Sequence, residues 1–288
     1  MPQRPLPKIA LLKMEYVLDF FVPEHFDAWP EPVGIVTFRW EDDGSRFVEE
    51  VRRAGIDVII GNIPATAYDR FLPLAEALPG VRFIPSLACQ AVNRSKEATT
   101  QLCREHDLSH PETWTFHDAK EGEAFLEHTT YPKLVRRSYG PSNFGGYHSH
   151  LVGSADEARA VMREEKYVPL YLQEPVAARH DAEFRVVLAD HKPLWSYWHR
   201  DDTMAALEID EVPETALELA AAASRAAETP YCICSIVVER ESGTPLLLLE
   251  CSTAFAAPDA VRCLIAGSIV AGLLETAGGI SAGQGAMA

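Results

Sequence analysis

The sequence predicts an α/β protein in which a parallel α/β layer comes first and a β-rich part follows. Over the first ninety residues, short apolar runs alternate with amphipathic stretches, which is typical of strands joined by helices in a parallel sheet. After about residue 168, strand-like runs follow one another with only short turns between them. The 288 residues are enough for two or three such units.

The N-terminal layer is predicted from six segments. In chain order they are the strands KIALLK and GIVTF, the helix SRFVEEVRRAG, the strand IDVIIGN, the helix YDRFLPLAEALPG and the strand VRFIP. The segment GNIP, from Gly61 to Pro64, follows a strand at the edge where parallel sheets usually present their ligand-binding loops.

The middle of the chain predicts a helix, a strand, a glycine-bearing loop between two strands, and a second helix. Ser95 is a plausible N-cap for a helix that runs to about Glu105, and PETWTF reads as a strand. YPKLVRRSYGPSNFGGYHSHLV reads as strand, loop and strand. Ser154 and Glu157 form a capping-box pattern at the start of SADEARAVMREE.

The last part predicts an antiparallel sheet and two helices. AEFRVVLAD and KPLWSYWHR form a hairpin around Asp190 and His191, and the helix PETALELAAAASRAAE follows. YCICSIVVER and TPLLLLECS read as paired strands, and a final apolar helix runs from PDAVRC to LLETAGG. We expect this final helix to be buried, because it contains Arg262 and its apolar run is too short to span a bilayer.

The acidic composition of the chain disfavours negatively charged partners. Asp and Glu outnumber Lys and Arg by 42 to 26, and the resulting net charge of −16 disfavours nucleic acid and anionic membranes. The start of the chain has too short an apolar run for a secretion signal. Six cysteines without a disulfide-like spacing predict reduced thiols, and we expect a cytoplasmic protein.

Three cationic or glycine-rich features stand out, although each is weak alone. The loop Ser138–Ser149 could hold phosphate oxygens on its backbone N–H groups, or it could be an ordinary glycine-containing turn. Lys96 lies near a helix start, and Arg136 ends a strand. The order in which these features occur is more informative than any one of them.

Five motifs between about Asn93 and Ser252 resemble, in order, those of the ATP-grasp superfamily. They are NRSKEATTQLCREHDLSHPETW, YPKLVRRSYGPSNFGG, YLQEPV, EFRVVLADHKPLWSYWHR and CSIVVERESGTPLLLLECS. The nearest branch is that of the ribosomal-protein glutamate ligases and the D-alanine–D-alanine ligases. The resemblance implies an α/β ATP-grasp fold with a Rossmann-like N-terminal domain over residues 1–92, a central subdomain over 93–170 and a C-terminal subdomain over 171–288.

The resemblance also implies the activity and the site. The expected function is ATP-dependent joining of a small carboxylate to an amine through an acyl phosphate, with no nucleic acid or membrane partner; a homodimer is left open as the assembly. Arg185 and Arg200 would hold the reacting centre. The residues that would bind ATP are Lys96, Arg136, Ser142, Gly145, Gly146, Gln173, Glu174, Val176 and Glu183. Magnesium would be held at the positions of Glu250, Ser252 and Ser235.

The chain departs from the family pattern at three of these positions. Arg136 stands where the family has a lysine, Ser235 where it has an aspartate, and Ser252 where it has an asparagine. A hydroxyl is a poor substitute for a carboxylate around Mg²⁺. Asp201, Asp202 or Glu183 could compensate. A phosphotransferase, or a nucleotide-binding protein without catalytic activity, therefore stays open beside the ligase.

Cysteines, histidines and aromatic residues supply further candidate groups. Alternation places Ser235 and Ile233 on one face of their strand and Cys232 and Cys234 on the other, where Cys251 would join them. This thiol cluster is expected to pack in the core, with a zinc or redox site as the alternative. His148 and His150 share a strand face as a solvated or substrate-facing pair, or as metal ligands. The WSYW segment, residues 195–198, offers aromatic side chains for core packing or for substrate contact.

Overall fold

The computed structural model describes residues 5–15, 19–41, 44–63, 67–92, 96–136, 149–165, 170–200, 203–253 and 255–278. These residues form a mixed α/β protein with one parallel sheet and two antiparallel sheets. The three sheets follow one another along the chain, as the alternation of helix and strand patterns predicts.

The N-terminal sheet is parallel and confirms the prediction for this part of the chain. Its elements are β1 (Ile9–Met14), β2 (Gly34–Phe38), α1 (Ser45–Ala54), β3 (Val58–Ile60), α2 (Tyr68–Glu76) and β4 (Arg82–Ile84). The strand order is β2-β1-β3-β4. Gly55 ends α1 in the left-handed conformation with a φ of 62°, and its N–H donates to the carbonyls of Arg52 and Val51.

The central sheet is antiparallel and carries helices on both sides. Its elements are α3 (Leu87–Val92), α4 (Lys96–Glu105), β5 (Thr113–Phe116), α5 (Ala119–His128), β6 (Lys133–Arg136), β7 (Ser149–Val152), α6 (Ala155–Glu165) and β8 (Leu170–Gln173). The strand order is β5-β8-β6-β7. At the start of α6, Ser154 accepts a hydrogen bond from the Glu157 N–H, as predicted, but the Glu157 carboxylate returns to the N–H of Gly153 rather than to that of Ser154.

The C-terminal sheet has five strands and is also antiparallel. Its elements are β9 (Ala178–Ala189), β10 (Lys192–Arg200), β11 (Thr203–Leu207), α7 (Glu214–Ala226), β12 (Tyr231–Glu239), β13 (Pro245–Ser252) and α8 (Asp259–Gly278). The strand order is β11-β10-β9-β12-β13. Asp190 and His191 form the predicted two-residue turn between β9 and β10, both with positive φ, as the twist of such hairpins requires.

Several short elements do not follow from the sequence pattern. The 3-10 helix Pro23–Phe26, α3, α5 and the edge strand β11 were not predicted. The 3-10 helix, α3 and β11 are brief, and their contacts with the rest of the chain decide their conformation more than their own periodicity does. Helix α5 has ten residues and begins at an N-cap, Asp118, whose carboxylate accepts from the N–H groups of Lys120 and Glu121.

The position of β8 bears on the predicted domain boundaries. The proposed division between residues 170 and 171 falls inside β8, whereas the hydrogen bonds of β8 run to β5 and β6 of the central sheet. The division of the chain into domains stays a prediction.

The two faces of the C-terminal sheet pack against different partners. One face, with Val186, Leu188 and Cys234, packs under α7 and part of α4. The other face, with Val187 and Ile233, packs against β1, β3 and α8. The N-terminal and C-terminal sheets therefore share one hydrophobic core, and α8 closes it.

Helix α8 has the bounds that the sequence predicts, but it differs from the prediction in the length of its apolar stretch and in its burial. It has 20 residues, and by length and composition its stretch Asp259–Ala277 could cross a membrane. Only one face is buried, through residues such as Ile265 and Ile269, while Leu264 is 57% exposed on the other face. The expectation that the apolar run is too short to span a bilayer is therefore wrong, and the expected burial holds for one face only, since α8 is a core helix with one open apolar face.

Candidate functional site

One face of the central sheet brings together the residues that the motif order predicts for the nucleotide. Arg136 on β6 lies opposite Tyr171 on β8, and Leu134 lies opposite Gln173. Because side chains alternate along a strand, Arg136, Tyr171 and Gln173 share this face. Residues from two separate motifs are thereby placed side by side.

Helix α4 is fixed to the same face by a buried hydrogen bond. The hydroxyls of Thr100 and Tyr171 lie 2.7 Å apart, and the Thr100 hydroxyl also donates to the carbonyl of Lys96, the first residue of α4. Burial raises the pKa of Tyr171 to about 12, so the phenol stays protonated at physiological pH. The positive end of the α4 dipole and Lys96 are thus anchored beside the strand that carries Gln173.

The Gln173 side chain is fully buried, yet its amide has no hydrogen-bond partner among the described residues. This holds for both the amide oxygen and the amide nitrogen. An unsatisfied buried polar group costs about 1–3 kcal/mol, so such a group is a candidate for a ligand that supplies the missing partners. A primary amide presents one acceptor and one donor, which fits the hydrogen-bonding edge of a nucleobase.

Glu174 is held on the opposite face of the sheet. Its carboxylate lies 2.8 Å from the ammonium group of Lys133, which is 1% exposed. Lys133 was not predicted as a site residue. The available signal was a lysine in the apolar strand YPKLV. Lys133 lies two residues before the buried Val135 and therefore on the same buried face of the strand.

The C-terminal sheet presents a second set of polar residues. Arg185 on β9 lies between Tyr197 on β10 and Ser235 on β12, directly opposite both. Arg185 is 8% exposed, and its Nη2 lies 3.4 Å from the Glu183 carboxylate. The predicted face for Ser235 and Ile233 is confirmed, and it is also the face of Arg185.

Neither Ser235 nor Ser252 brings a carboxylate to the predicted metal site, and the Glu183 carboxylate, which could compensate, lies 3.4 Å from the Arg185 guanidinium. Ser235 and Ser252 are both buried and offer neutral hydroxyls, and Arg185 lies directly across the ladder from Ser235. Two neutral hydroxyls, one of them opposite a cationic guanidinium, do not fit a magnesium site, because Mg²⁺ prefers anionic oxygens. Glu250 belongs to β13, but its side chain lies outside the described residues, so the third predicted ligand stays a prediction.

Several of the remaining predicted site residues lie wholly or partly outside the described part of the chain. Ser142, Gly145 and Gly146, with the rest of their loop, lie outside the described residues, as do Asp201 and Asp202. Arg200 ends β10, but its side chain is not described. Val176 is half-buried in the segment 174–177 between β8 and β9. The backbone N–H of Arg240, just after β12, donates a 2.8 Å hydrogen bond to the Ala177 carbonyl and so joins this segment to the C-terminal sheet.

The predicted thiol cluster is present. The sulfur atoms of Cys232, Cys234 and Cys251 all lie within 4.8 Å of one another on the face that α7 covers. Hydrogen bonds from Cys234 and Cys251 hold the pKa of Cys232 below its ordinary value, and the same contacts raise the pKa of Cys251. The buried Ser224 also hydrogen-bonds to Cys232, and the apolar residues that α7 contributes around the cluster fit thiols that pack in a core.

The aromatic and histidine candidates are partly accounted for. Trp195 and Tyr197 pack in the core shared with the N-terminal sheet, with ring centroids 4.9 Å apart, which is the first of the two uses that the sequence left open for WSYW. The Trp198 side chain and His148 lie outside the described residues, whereas His150 lies half-buried on β7.

The GNIP segment is occupied by contacts within the protein. The Asn62 amide nitrogen donates to the Thr253 carbonyl at 2.6 Å, and its oxygen accepts from the Tyr231 hydroxyl at 2.9 Å. The buried Gln90 side chain accepts from the Ile63 N–H and donates to the Pro85 carbonyl. The described part of this segment joins the N-terminal layer to the C-terminal sheet.

Comparison with known proteins gives matches among solved structures only. No family model matches the chain, and no curated protein matches it. D-cycloserine synthetase DcsG is 17% identical with a TM-score of 0.66, over 92% of this chain and 99% of that one. The RimK domain ATP-grasp protein of Sphaerobacter thermophilus is 18% identical with a TM-score of 0.66, over 91% of this chain and 98% of that one.

A third structure extends the likeness to another ligase. The D-alanine–D-alanine ligase of Bacillus anthracis, complexed with ATP, is 13% identical with a TM-score of 0.61, over 94% of this chain and 97% of that one. All three comparisons span nearly the whole of both chains, and the resemblance that the motif order predicts is confirmed at the level of the fold. The chain has the ATP-grasp fold.

Proposed function

We propose that the protein is an ATP-dependent ligase that joins a carboxylate to an amine. The observation that carries the proposal is the buried Gln173 amide, without a partner among the described residues, on the same face as Arg136 and beside the start of α4. A base-sized partner at Gln173 would leave its phosphates near the cations. The shared fold supports this arrangement, since the similar structures are of ligases and one of them contains ATP.

The residues of the central sheet would bind and orient the nucleotide. When bound, ATP would supply the phosphoryl group that activates the acid as an acyl phosphate. The amine would then attack the acyl carbon, and phosphate would leave as the amide forms. Lys96 and Arg136 would neutralise phosphate oxygens, and the Gln173 amide would hold the base. Ser142, Gly145 and Gly146 are proposed to cover the phosphates from the glycine loop, in agreement with the motif order.

Arg185 would stabilise the negative charge that develops at the reacting carboxyl. Its guanidinium is almost buried, and a charge in such a site acts through a lower dielectric than in water. The carboxylate of Glu183 holds one side of the fork, which leaves the orientation of Arg185 restricted. Arg200 on the next strand is proposed to assist from the far end of β10.

The proposed ligase would need two substrates and a magnesium ion. The substrates would be a small carboxylic acid and an amine, and the acidic chain disfavours polyanionic acceptors. Magnesium would depend on Glu250, because the two serines do not replace the missing anionic oxygens. A cytoplasmic location and a homodimer stay predictions.

The proposal is tested by measuring ADP and phosphate release with candidate acids and amines. A ligase releases ADP and phosphate only when acid and amine are both present, and the amide accumulates in equal amount. A phosphorylated product that persists without an amine would indicate a phosphotransferase instead. Failure of the wild-type protein to turn over ATP with any acid and amine pair would count against both enzymes.

A nucleotide-binding protein without catalysis is the second candidate. It is favoured by one observation, the neutral hydroxyls of Ser235 and Ser252 at positions predicted for metal ligands. Such a protein would bind ATP in a calorimetric titration but would release no ADP. In the ligase, Glu250→Ala would abolish turnover while far-UV circular dichroism stayed unchanged.

A further inference from the structure

A buried lysine and a glutamate form an ion pair directly beside the candidate base-binding residue. The Lys133 ammonium lies 2.8 Å from the Glu174 carboxylate and donates to the Thr130 carbonyl at 2.5 Å. It also lies 5.4 Å from the centroid of the Trp114 ring. Three kinds of partner therefore surround one ammonium group whose side chain is 1% exposed.

Stability alone does not explain this pair. A buried ion pair is usually no more stabilising than apolar side chains of the same volume, because both charges lose their hydration. The neighbouring side chains on this face, including Val135 and Leu172, are apolar and pack against α5 and α6. An apolar side chain at position 133 would avoid the cost of burying a charge, so the buried ammonium points to a role beyond packing.

The geometry shows what the pair holds in place. Glu174 directly follows Gln173, and the two side chains leave the chain on opposite sides of the sheet. The Glu174 N–H donates to the Glu112 carbonyl at 2.9 Å, while its carboxylate is held by Lys133. Fixing Glu174 from backbone and side chain also fixes the direction of the Gln173 amide.

We propose that Lys133 is a positioning residue that, through Glu174, holds the Gln173 amide and the segment 174–177 in the conformation that binds the nucleobase. This inference rests on the proposed use of ATP. In this arrangement the Glu174 carboxylate binds the Lys133 ammonium, and the Gln173 amide contacts the nucleobase. Lys133 itself lies on the helix-covered face, opposite the face that carries Arg136 and Gln173.

A distinct kinetic signature follows from this role. A base contact far from the transferred phosphoryl group is equally strong in the ground state and in the transition state. Its misplacement raises KM for ATP and leaves kcat unchanged. A residue that served the fold alone would change both constants or neither.

The experiment compares Lys133→Met, Lys133→Arg and Glu174→Gln with the wild-type protein. The matched control is Lys120→Met, which removes an exposed lysine from α5. The dissociation constant of ATP is measured by calorimetry, KM and kcat by ADP release, and folding by circular dichroism and thermal unfolding. We expect about a tenfold loss of ATP affinity in Lys133→Met, partial recovery in Lys133→Arg, and no change in the control.

The outcomes separate this inference from the proposed function. Wild-type protein that binds ATP, together with folded Lys133→Met and Glu174→Gln proteins of unchanged ATP affinity, would overturn the positioning role and leave the ligase proposal intact. Wild-type protein that binds no ATP would overturn both. Should Lys133→Met fail to fold, Glu174→Gln decides, because it keeps the side-chain volume and loses only the charge.

Discussion

Asn62 and Tyr231 share a 2.9 Å hydrogen bond that joins the N-terminal layer to the C-terminal sheet. The Asn62 oxygen accepts from the Tyr231 hydroxyl, and its nitrogen donates to the Thr253 carbonyl. Tyr231 opens β12, and Thr253 directly follows β13. One amide in the GNIP segment therefore contacts both strands that carry Ser235 and Ser252.

Removing this amide is expected to destabilise the protein. Asn62→Ala leaves the hydroxyl of the fully buried Tyr231 without its partner, which costs about 1–3 kcal/mol. Urea denaturation measures the loss. Tyr231→Phe in the Asn62→Ala background should restore part of the stability, because it removes the unsatisfied hydroxyl. Purely additive losses in the double variant would contradict the pairing.

The two partners of the buried ion pair should differ in their effect on stability. Glu174→Ala leaves the buried Lys133 ammonium without a counter-charge, and we expect a loss of about 3–5 kcal/mol. Lys133→Met leaves a carboxylate that is 37% exposed and can be hydrated, so the loss should be smaller. Chemical denaturation of both variants gives the comparison. Equal losses would show that Lys133 reaches solvent.

Arg185 should be needed for turnover more than for folding. Arg185→Lys keeps the positive charge but loses the fork, and we expect kcat to fall by about a hundredfold with little change in the melting temperature. Arg82→Gln, which removes an exposed arginine from β4, is the matched control. An unchanged kcat in Arg185→Lys would remove this residue from the proposed mechanism.

The cysteines should divide sharply in their reactivity. Cys263 is exposed on α8, and the other five thiols are buried. Burial raises the pKa of Cys89 to about 11 and of Cys103 to about 12, so neither forms a thiolate near pH 8. Titration with a disulfide reagent should detect one thiol in the native protein and six after denaturation. Release of zinc on denaturation would instead support a metal site at Cys232, Cys234 and Cys251.

Stability in acid should depend on Asp259. Its carboxylate lies 3.0 Å from His25 and 3.1 Å from Arg262, and the hydrogen bond with His25 holds the pKa of Asp259 below its ordinary value. A depressed pKa in the folded state stabilises the protein above the unfolded value of about 4, and this contribution is lost as the pH falls through the folded pKa. Asp259→Asn should therefore differ from wild type at pH 6 and converge with it in strong acid. Glu275→Gln, on an exposed position of the same helix, is the control.

Side-chain facing was predictable from the sequence because strand periodicity fixes it. Alternation alone predicted that Ser235 lies on the opposite face of β12 from Cys232 and Cys234. Pairing β12 with β13 then predicted that Cys251 joins these two cysteines in one thiol cluster. The motif order likewise placed Arg136 and Gln173 at one site. These features depend on local pattern and on the order of elements.

Contacts between distant residues were not predictable in this way. The pairing of Lys133 with Glu174 and of Asn62 with Tyr231 depends on how separate elements meet in space. The open face of α8 is also invisible to composition, since the same apolar residues suit a helix buried on all sides. Short elements such as β11 depend on a neighbouring strand for their hydrogen bonds.

The ladder between β12 and β13 constrains how the chain length can vary. Cys234 pairs with Cys251 and Ile236 pairs with Leu247, so the three residues 248–250 stand opposite Ser235 alone. Strand β13 therefore has two more residues than β12 at this point. Because two is an even number, the side chains of β13 keep the same alternation of faces before and after the irregularity. Loss of one residue from 248–250 would turn Cys251 toward Arg185 and Ser252 into the thiol-lined core, whereas loss of two would leave both faces as they are. Related chains that keep this site should therefore differ in length here only by even numbers.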